Sequence, residues 1–533
     1  MYNNYTPLQQ RQLALQEYSN TQSTYLLVCA PARSTALKAT LTDQLHRKFR
    51  LVDRLDGELT ASVDGVLLAA EDVELMSTAL MYFAKALQDG ADYAVCNAVF
   101  GFGGATALYQ SQPLQAQNRC AVVSRALLER CRAAAHDPEN VPELLALAAQ
   151  LCTRPTLIPQ ALLHYERGIC AEDAFSAHGK RAFIMSHVLD MTGAPIVLVS
   201  AVPVLRSMGY EVLVLGPSDG GSLHLFLDAG ASVITRSSCR NVSDAWGMAL
   251  CADFVIANTV VMARAVRALS GTAVPVLWWL HDAFAGYPHI AHQIPTQLGE
   301  NVRVYSVGSH AANAMHAVRP EFEIRPLIYG LPDYAAENFV RTDLGYNRGR
   351  PLFATVGSFE RRKGHDIFCK AIRLLPPEVR EKASFLFVGQ AADKEMMDSV
   401  RTLTADYPEN VFYCKRLTRD EIKSLMEQCT GLVCASRDDP MPTFVTEGLI
   451  FGKPSIVSEH TGTAGLISEG RNGFVYHDDD PQQLAVLLEH AIEHPEELAS
   501  MRTECRKMYE QYYSKEAFEQ TLRAAVEDLT AKK

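Results

Sequence analysis

From Arg181 onward, short apolar runs recur at intervals long enough to hold a helix, and this alternation restricts the fold more than any other feature of the 533 residues. RAFIMSH, YEVLVLG, ADFVIAN, AVPVLWWLH and VRVYSVG each end in polar, Gly or His residues, and helix-length segments such as Gly193–Met208 separate them. A run that is apolar throughout belongs to a strand covered on both faces, and strands of that kind pair in parallel through helical crossovers. The pattern breaks at the turn-rich Gly349–Pro351 and restarts with PLFATVG, SFLFVGQ, NVFYCKR, GLVCAS and PSIVSE. The expected fold class is therefore α/β: two doubly wound, Rossmann-like domains, 181–348 and 349–533, facing a cleft outside the carboxyl ends of their strands. The charged helical stretch from Pro495 to Leu529 is placed to cross back over them.

The preceding residues read differently. Residues 1–24 are a polar lead-in, 25–167 form a smaller α/β region, and 168–180 (GICAEDAFSAHGK) are small and polar enough for a linker. The smaller region has strand-like runs at TYLLVCA, DGVLLAA and YAVCNAVF, and a helix is expected over Glu74–Leu87. Gly101-Phe102-Gly103-Gly104 has Thr106 where a dinucleotide fingerprint needs its third glycine, so it reads as a loop. Arg119, Arg125, Arg130 and Arg132 suit a solvated helix face; contact with anionic lipid or substrate is the other reading.

Charge and cysteine usage narrow the class. Lys and Arg number 50 against 61 Asp and Glu, a net charge of −11, which argues against a broad nucleic-acid surface. The 13 cysteines are scattered without a Cys-x-x-Cys, as in a reducing compartment, so no metal module is expected. The amino terminus lacks the apolar core of a signal peptide, and the longest apolar stretch, Ala194–Leu205, is shorter than the roughly 20 residues of a membrane span. A cytoplasmic protein is expected, with peripheral contact at the inner face of a membrane left open.

Two clusters carry chemistry. In VGSFERRKGHD (Val356–Asp366) a buried strand ends at Gly357, and Arg361, Arg362 and Lys363 follow just before a new helix. Guanidinium and ammonium groups at a strand's carboxyl end suit a diphosphate. In ASRDDPMPTFVTEGLIFGKPSIVS (Ala435–Ser458) an acidic, Pro-rich loop holding Asp439 leads into a helix from about Thr443 that bears Glu447. Its carboxylates can accept hydrogen bonds from sugar hydroxyls. The first-turn amides of Thr443 and Phe444 can hold phosphate.

Together the two clusters, with GLISEGRNGFVY (Gly465–Tyr476), resemble the C-terminal domain of family 4 retaining glycosyltransferases of the GT-B fold. The resemblance implies that Glu447 holds the donor ribose, that Asp439 contacts the transferred sugar, and that Lys363 with Arg362 or Arg361 binds the pyrophosphate. Two departures stand out: Asp439 replaces the family's usual glutamate, and Ser358 stands where an arginine is common, with Arg361-Arg362 as the nearby substitute.

In the first Rossmann-like domain, SHVLDMTGAP (Ser186–Pro195) opens a helix near Gly193, which permits close backbone approach, and WWLHDAF ends a buried strand at His281. In the resembled family a histidine near this point contacts the transferred sugar. Asp219, Gly220, Asn258, Ser309 and His310 lie at the same sheet edge as secondary candidates. Residues 25–167 resemble the later half of a family 2 (GT-A) glycosyltransferase, with Ala70-Glu71-Asp72 at its acidic metal-binding position; the short approach from Tyr25 and the missing Gln-x-x-Arg-Trp point to a degenerate accessory domain.

The expected activity is thus a metal-independent hexosyl transfer, with retention, from a nucleotide-diphospho-sugar to a glycan or lipid-linked acceptor in cell-surface polysaccharide or glycoconjugate synthesis. No cofactor is expected beyond the co-substrate; the partners are the donor, the acceptor, and a second transferase or another copy of the chain. The alternatives are a non-catalytic transferase-like subunit and a GT-B-like nucleotide-sugar epimerase or hydrolase.

Overall fold

The computed structural model describes residues 23–531, less 31–34, 42–43, 45, 47, 56–61, 71–72, 77, 103–105, 111–119, 166–178, 219 and 237–247. Glu71-Asp72, Arg119, Asp219 and most of the expected lead-in and linker lie outside the described residues. The chain divides into two compact units, Met1–Val255 and Ile256–Lys533. The division falls inside the strand Phe254–Asn258.

In the first unit, Lys180–Met185, Tyr210–Gly216 and Ser232–Arg236 pair in parallel. Ser232–Arg236 then pairs antiparallel with Thr106–Gln110, which pairs with Tyr93–Phe102. The sheet continues through Cys120–Ser124, Gly65–Ala69 and Leu26–Cys29 to Phe49–Val52. The smaller region and the start of the next block are therefore hydrogen-bonded into one mixed sheet. Its strands feed two cores by strict alternation: Leu26, Val28 and Leu67 face one, Leu27, Val66 and Leu68 the other.

Two expected helices differ. Over Glu74–Leu87 the helix begins only at Ala79, because Val73–Leu75 alternates buried, half-buried, buried and pairs with Leu163–Tyr165 as a strand. Gly193–Met208 splits at Ser200 into Gly193–Val199 and Ala201–Ser207. Pro203 lacks the N–H that would bond Val199, and the turn before it closes with both the Ser200 N–H and the Ser200 hydroxyl donating to the Val197 carbonyl.

In the second unit, Val276–Leu280, Val302–Ser306 and Ile324–Pro326 run parallel. A six-stranded, wholly parallel sheet follows in the order Val411–Cys414, Ser384–Val388, Leu352–Val356, Gly431–Cys434, Ser455–Ser458, Gly473–Tyr476. The winding reverses between Leu352–Val356 and Gly431–Cys434, so the loops after these two strands open at the switch point where such sheets bind ligands. The carboxyl-terminal stretch forms Pro495–Ser500, Arg502–Met508, a π turn at Tyr509–Tyr513 and Lys515–Thr530. It returns to the first lobe of this unit: Leu331 N–H donates to Tyr513 O at 2.7 Å, and Phe518 stacks on Trp279 at 5.7 Å. No helix of the described residues is long and apolar enough to cross a membrane.

Candidate active site

The switch-point loops are the two clusters singled out from sequence, and the backbone binds them together. Arg437 N–H donates to Arg362 O at 2.7 Å, and the Arg437 guanidinium grips Asp366 through two bonds of 2.8 Å. Burial pushes the Asp366 carboxyl up, but the hydrogen bonds and charge of Arg437 outweigh it and hold the group below its ordinary range. Gly364, at φ 64°, lets the basic loop pass the acidic one, since a Cβ there would lie 1.8 Å from Ala435 O. Gly462 does the same on the far side, where a Cβ would lie 1.7 Å from Pro440 O.

This packing brings Lys363 onto Asp439, with Nζ 2.6 Å from Oδ2 and side chains only 18% and 5% exposed. The Asp439 backbone is pinned as well, its N–H donating to His460 O and its carbonyl accepting from Gly462 N–H. Helix Thr443–Ile450 starts four residues later, so its first-turn amides, Thr443 and Phe444 among them, lie at the same sheet edge. Glu447, on that helix, accepts from Arg419 Nη1 at 2.6 Å, and the Arg419 guanidinium lies 4.2 Å from the Tyr334 ring centroid. Tyr329 is buried, and desolvation first, then the charges of Asp439 and Glu447, push its hydroxyl up.

The other predicted cations are placed differently. Arg362 bonds Glu360 at 2.9 Å, and the Ser358 hydroxyl donates to the same carboxylate. Glu360 is held below its ordinary range; burial raises it, and the Ser358 bond and Arg362 charge prevail. The Arg361 side chain is exposed while its carbonyl accepts from Arg437 Nη1. Gly357 ends its strand with its N–H on Val388 O. Gly193 opens a helix in the first unit, with no other group within 4 Å of where its Cβ would stand.

His281 follows the strand Val276–Leu280, its ring 4.6 Å from that of Trp279. Beside it Asp282 accepts from Val260 N–H at 2.5 Å and is pushed up to about 6 by burial, against the pull of the Val260 and His281 amides. Thr259, at φ 73°, is a non-glycine in left-handed backbone, held by Trp278 Nε1 on its carbonyl at 2.9 Å.

Three participants were not legible as such. Asp438 accepts from His310 Nε2 at 2.7 Å and from the amides of Phe284 and Ala285 at 3.1 and 2.9 Å. Arg419 and Arg437 are the others. The doubled acid of SRDDP was the available signal for Asp438; nothing local marks Arg419 as the partner of Glu447.

Known proteins resemble the chain over the same segments. Residues 178–321 match the family described as glycosyl-transferase family 4, and residues 337–508 match glycosyl transferases group 1. Spore coat protein SA of Bacillus subtilis (strain 168) is 28% identical over 160 residues, 28% of this chain and 41% of that protein. An uncharacterized glycosyltransferase of Methanocaldococcus jannaschii is 26% identical over 197 residues, 36% of this chain and 53% of that one. The chain thus spans about half the length of these curated relatives or less. Among solved structures, HepE of Anabaena in complex with UDP superposes with a TM-score of 0.54 at 18% identity, over 66% of this chain and all of that one. Sucrose-phosphate synthase from Thermosynechococcus elongatus gives 0.53 at 15%, again over 66% and 100%. The chain thus carries two segments in tandem that match glycosyltransferase families, and it has the GT-B fold of these structures.

Proposed function

We propose that the chain transfers a hexose, with retention of anomeric configuration, from a nucleotide-diphospho-sugar to a glycan or lipid-linked acceptor in cell-surface polysaccharide or glycoconjugate synthesis. The observation that carries this reading is the Lys363–Asp439 pair at the switch point, beside the first turn of the helix that bears Glu447. In the donor complex Lys363, Arg362 and the Thr443 and Phe444 amides offset the charge that grows on the leaving diphosphate. Glu447 accepts the ribose hydroxyls, while Asp439 and His281 orient the sugar. The acceptor hydroxyl forms the new glycosidic bond on the face the diphosphate leaves, and the departing phosphate oxygen takes its proton. These side chains supply the positive charge, so the reading assigns no role to a metal or a cofactor.

The first unit's smaller region is read as an accessory domain for the acceptor, a second transferase or another copy of the chain, and the protein as cytoplasmic. The test is release of nucleoside diphosphate from a panel of nucleotide sugars with and without glycan acceptors, beginning with uridine donors because HepE holds UDP. Acceptor-dependent release is expected, with Glu447→Ala weakening nucleotide binding and Lys363→Ala lowering kcat by about a hundredfold or more. Release without acceptor would point to an epimerase or hydrolase. No release with any donor, with nucleotide binding unchanged by Glu447→Ala, would leave a non-catalytic subunit.

A further inference from the structure

We infer that Asp438 is a positioning residue that clamps the loop after His281 against the loop carrying Asp439, setting the distance between the two groups expected to face the transferred sugar. The inference rests on the glycosyl-transfer reading for its kinetic consequence and on geometry for the clamp itself. Phe284–Gly286 is a single turn of 3₁₀ helix preceded by Ala283, whose methyl cannot cap the turn's first amides. Asp438 supplies that cap from the other lobe of the unit, 153 positions along the chain from Ala285. One carboxylate oxygen takes Phe284 N–H and His310 Nε2, and the other takes Ala285 N–H.

The surroundings fit this role. Asp438 and His310 side chains are 13% and 7% exposed, and the Phe284 ring stands edge-on to His310 at 5.1 Å. Burial pushes the Asp438 carboxyl up, yet the His310 bond and the two amides keep it below its ordinary range, so the clamp is charged near neutrality. Asp439 forms an isolated bridge to Thr461, and Asp438 lies in the bend just before it. The adjacent acids thus divide the work: Asp439 meets Lys363 within its own lobe, and Asp438 reaches across to the other.

The test uses full-length Asp438→Asn, His310→Ala and His310→Gln. An asparagine has one carboxamide oxygen for three donors, whereas glutamine at 310 keeps an N–H for Asp438. Asp438→Asn and His310→Ala should lower kcat by about tenfold or more and leave UDP affinity and donor KM within about threefold, and His310→Gln should recover most of the loss. Energy transfer between dyes introduced through non-natural residues at the exposed positions Glu321 and Glu409 should report a longer mean distance in Asp438→Asn and His310→Ala only. An unchanged distance overturns the clamp, as does UDP affinity that falls in step with kcat or a kcat within about twofold of the parent. Should Asp438→Asn fail to fold, the His310 pair carries the same comparison. Absence of turnover by the parent chain would sink the transfer reading, while the dye distances would still decide the clamp.

Discussion

Replacing Lys363 with methionine strands the Asp439 carboxylate, 5% exposed, without its counter-charge. Breaking such a buried pair costs about 3–5 kcal/mol, whereas replacing both members with apolar groups is often close to neutral. Lys363→Met should therefore melt well below the parent, and Lys363→Met/Asp439→Leu should regain most of that stability while remaining inactive. Thermal melting and donor turnover measured on the same samples check this; a double variant as unstable as the single one would refute it. His365, at the start of helix His365–Leu374, tests the same region through pH. Burial first, and then the Lys363 ammonium, push its imidazole down from about 6.5 to about 3. The unfolded chain takes up this proton below about pH 6.5 and the folded chain does not until about pH 3. Stability therefore drops as pH falls through that window, by up to ~1.4 kcal/mol per pH unit. His365→Leu removes this component, so denaturant titrations should show the variant gaining on the parent as pH falls. Parallel stability curves would contradict it.

Among elements, the returning carboxyl-terminal helices are held by a specific contact as well as by burial. Arg506 forks onto Asp333 at 3.0 and 2.8 Å and donates to the Ile450 carbonyl, the last residue of the helix that bears Glu447. The Arg506 bond is the main reason Asp333 lies below its ordinary range. Arg506→Met should lower stability by about 1.5–3 kcal/mol, read from the denaturation midpoint, with little change in unfolding slope. The continuous apolar strands were legible because burial on both faces leaves no polar positions in the run. Ser232–Arg236 and Val73–Leu75 are not legible as strands in the sequence, because both are short and owe their state to partners far along the chain. The site was legible in the same measure. Loop and helix placements follow from local chemistry, but whether Glu447 meets Arg419, 28 residues away, or Arg362 meets its neighbour Glu360 is decided by packing.

For the whole molecule, the family matches begin at residue 178, yet the sheet does not respect that boundary. Ser232–Arg236 has Tyr210–Gly216 on one side and Thr106–Gln110 on the other. Deleting residues 1–166 would turn it into an open edge, a template for pairing with other chains. The shortened protein should associate or precipitate on size-exclusion chromatography; a monomer with full transferase activity would show the shared sheet to be dispensable.

The pairing of Lys363 with Asp439, Arg362 with Glu360 and Arg419 with Glu447 bears on how the site meets small anions in solution. A bare oxyanion such as inorganic phosphate or sulfate meets no idle cation among these three. To bind it must part an internal ion pair, and it has no ribose or sugar with which to engage the released carboxylate. A nucleotide sugar brings both ends at once, so it can exchange partners where a small anion cannot. On the proposed transfer reading these three cations are thereby reserved for a two-ended ligand, leaving a small oxyanion only the exposed Arg361 and the first-turn amides, and phosphate buffer should inhibit donor turnover only weakly.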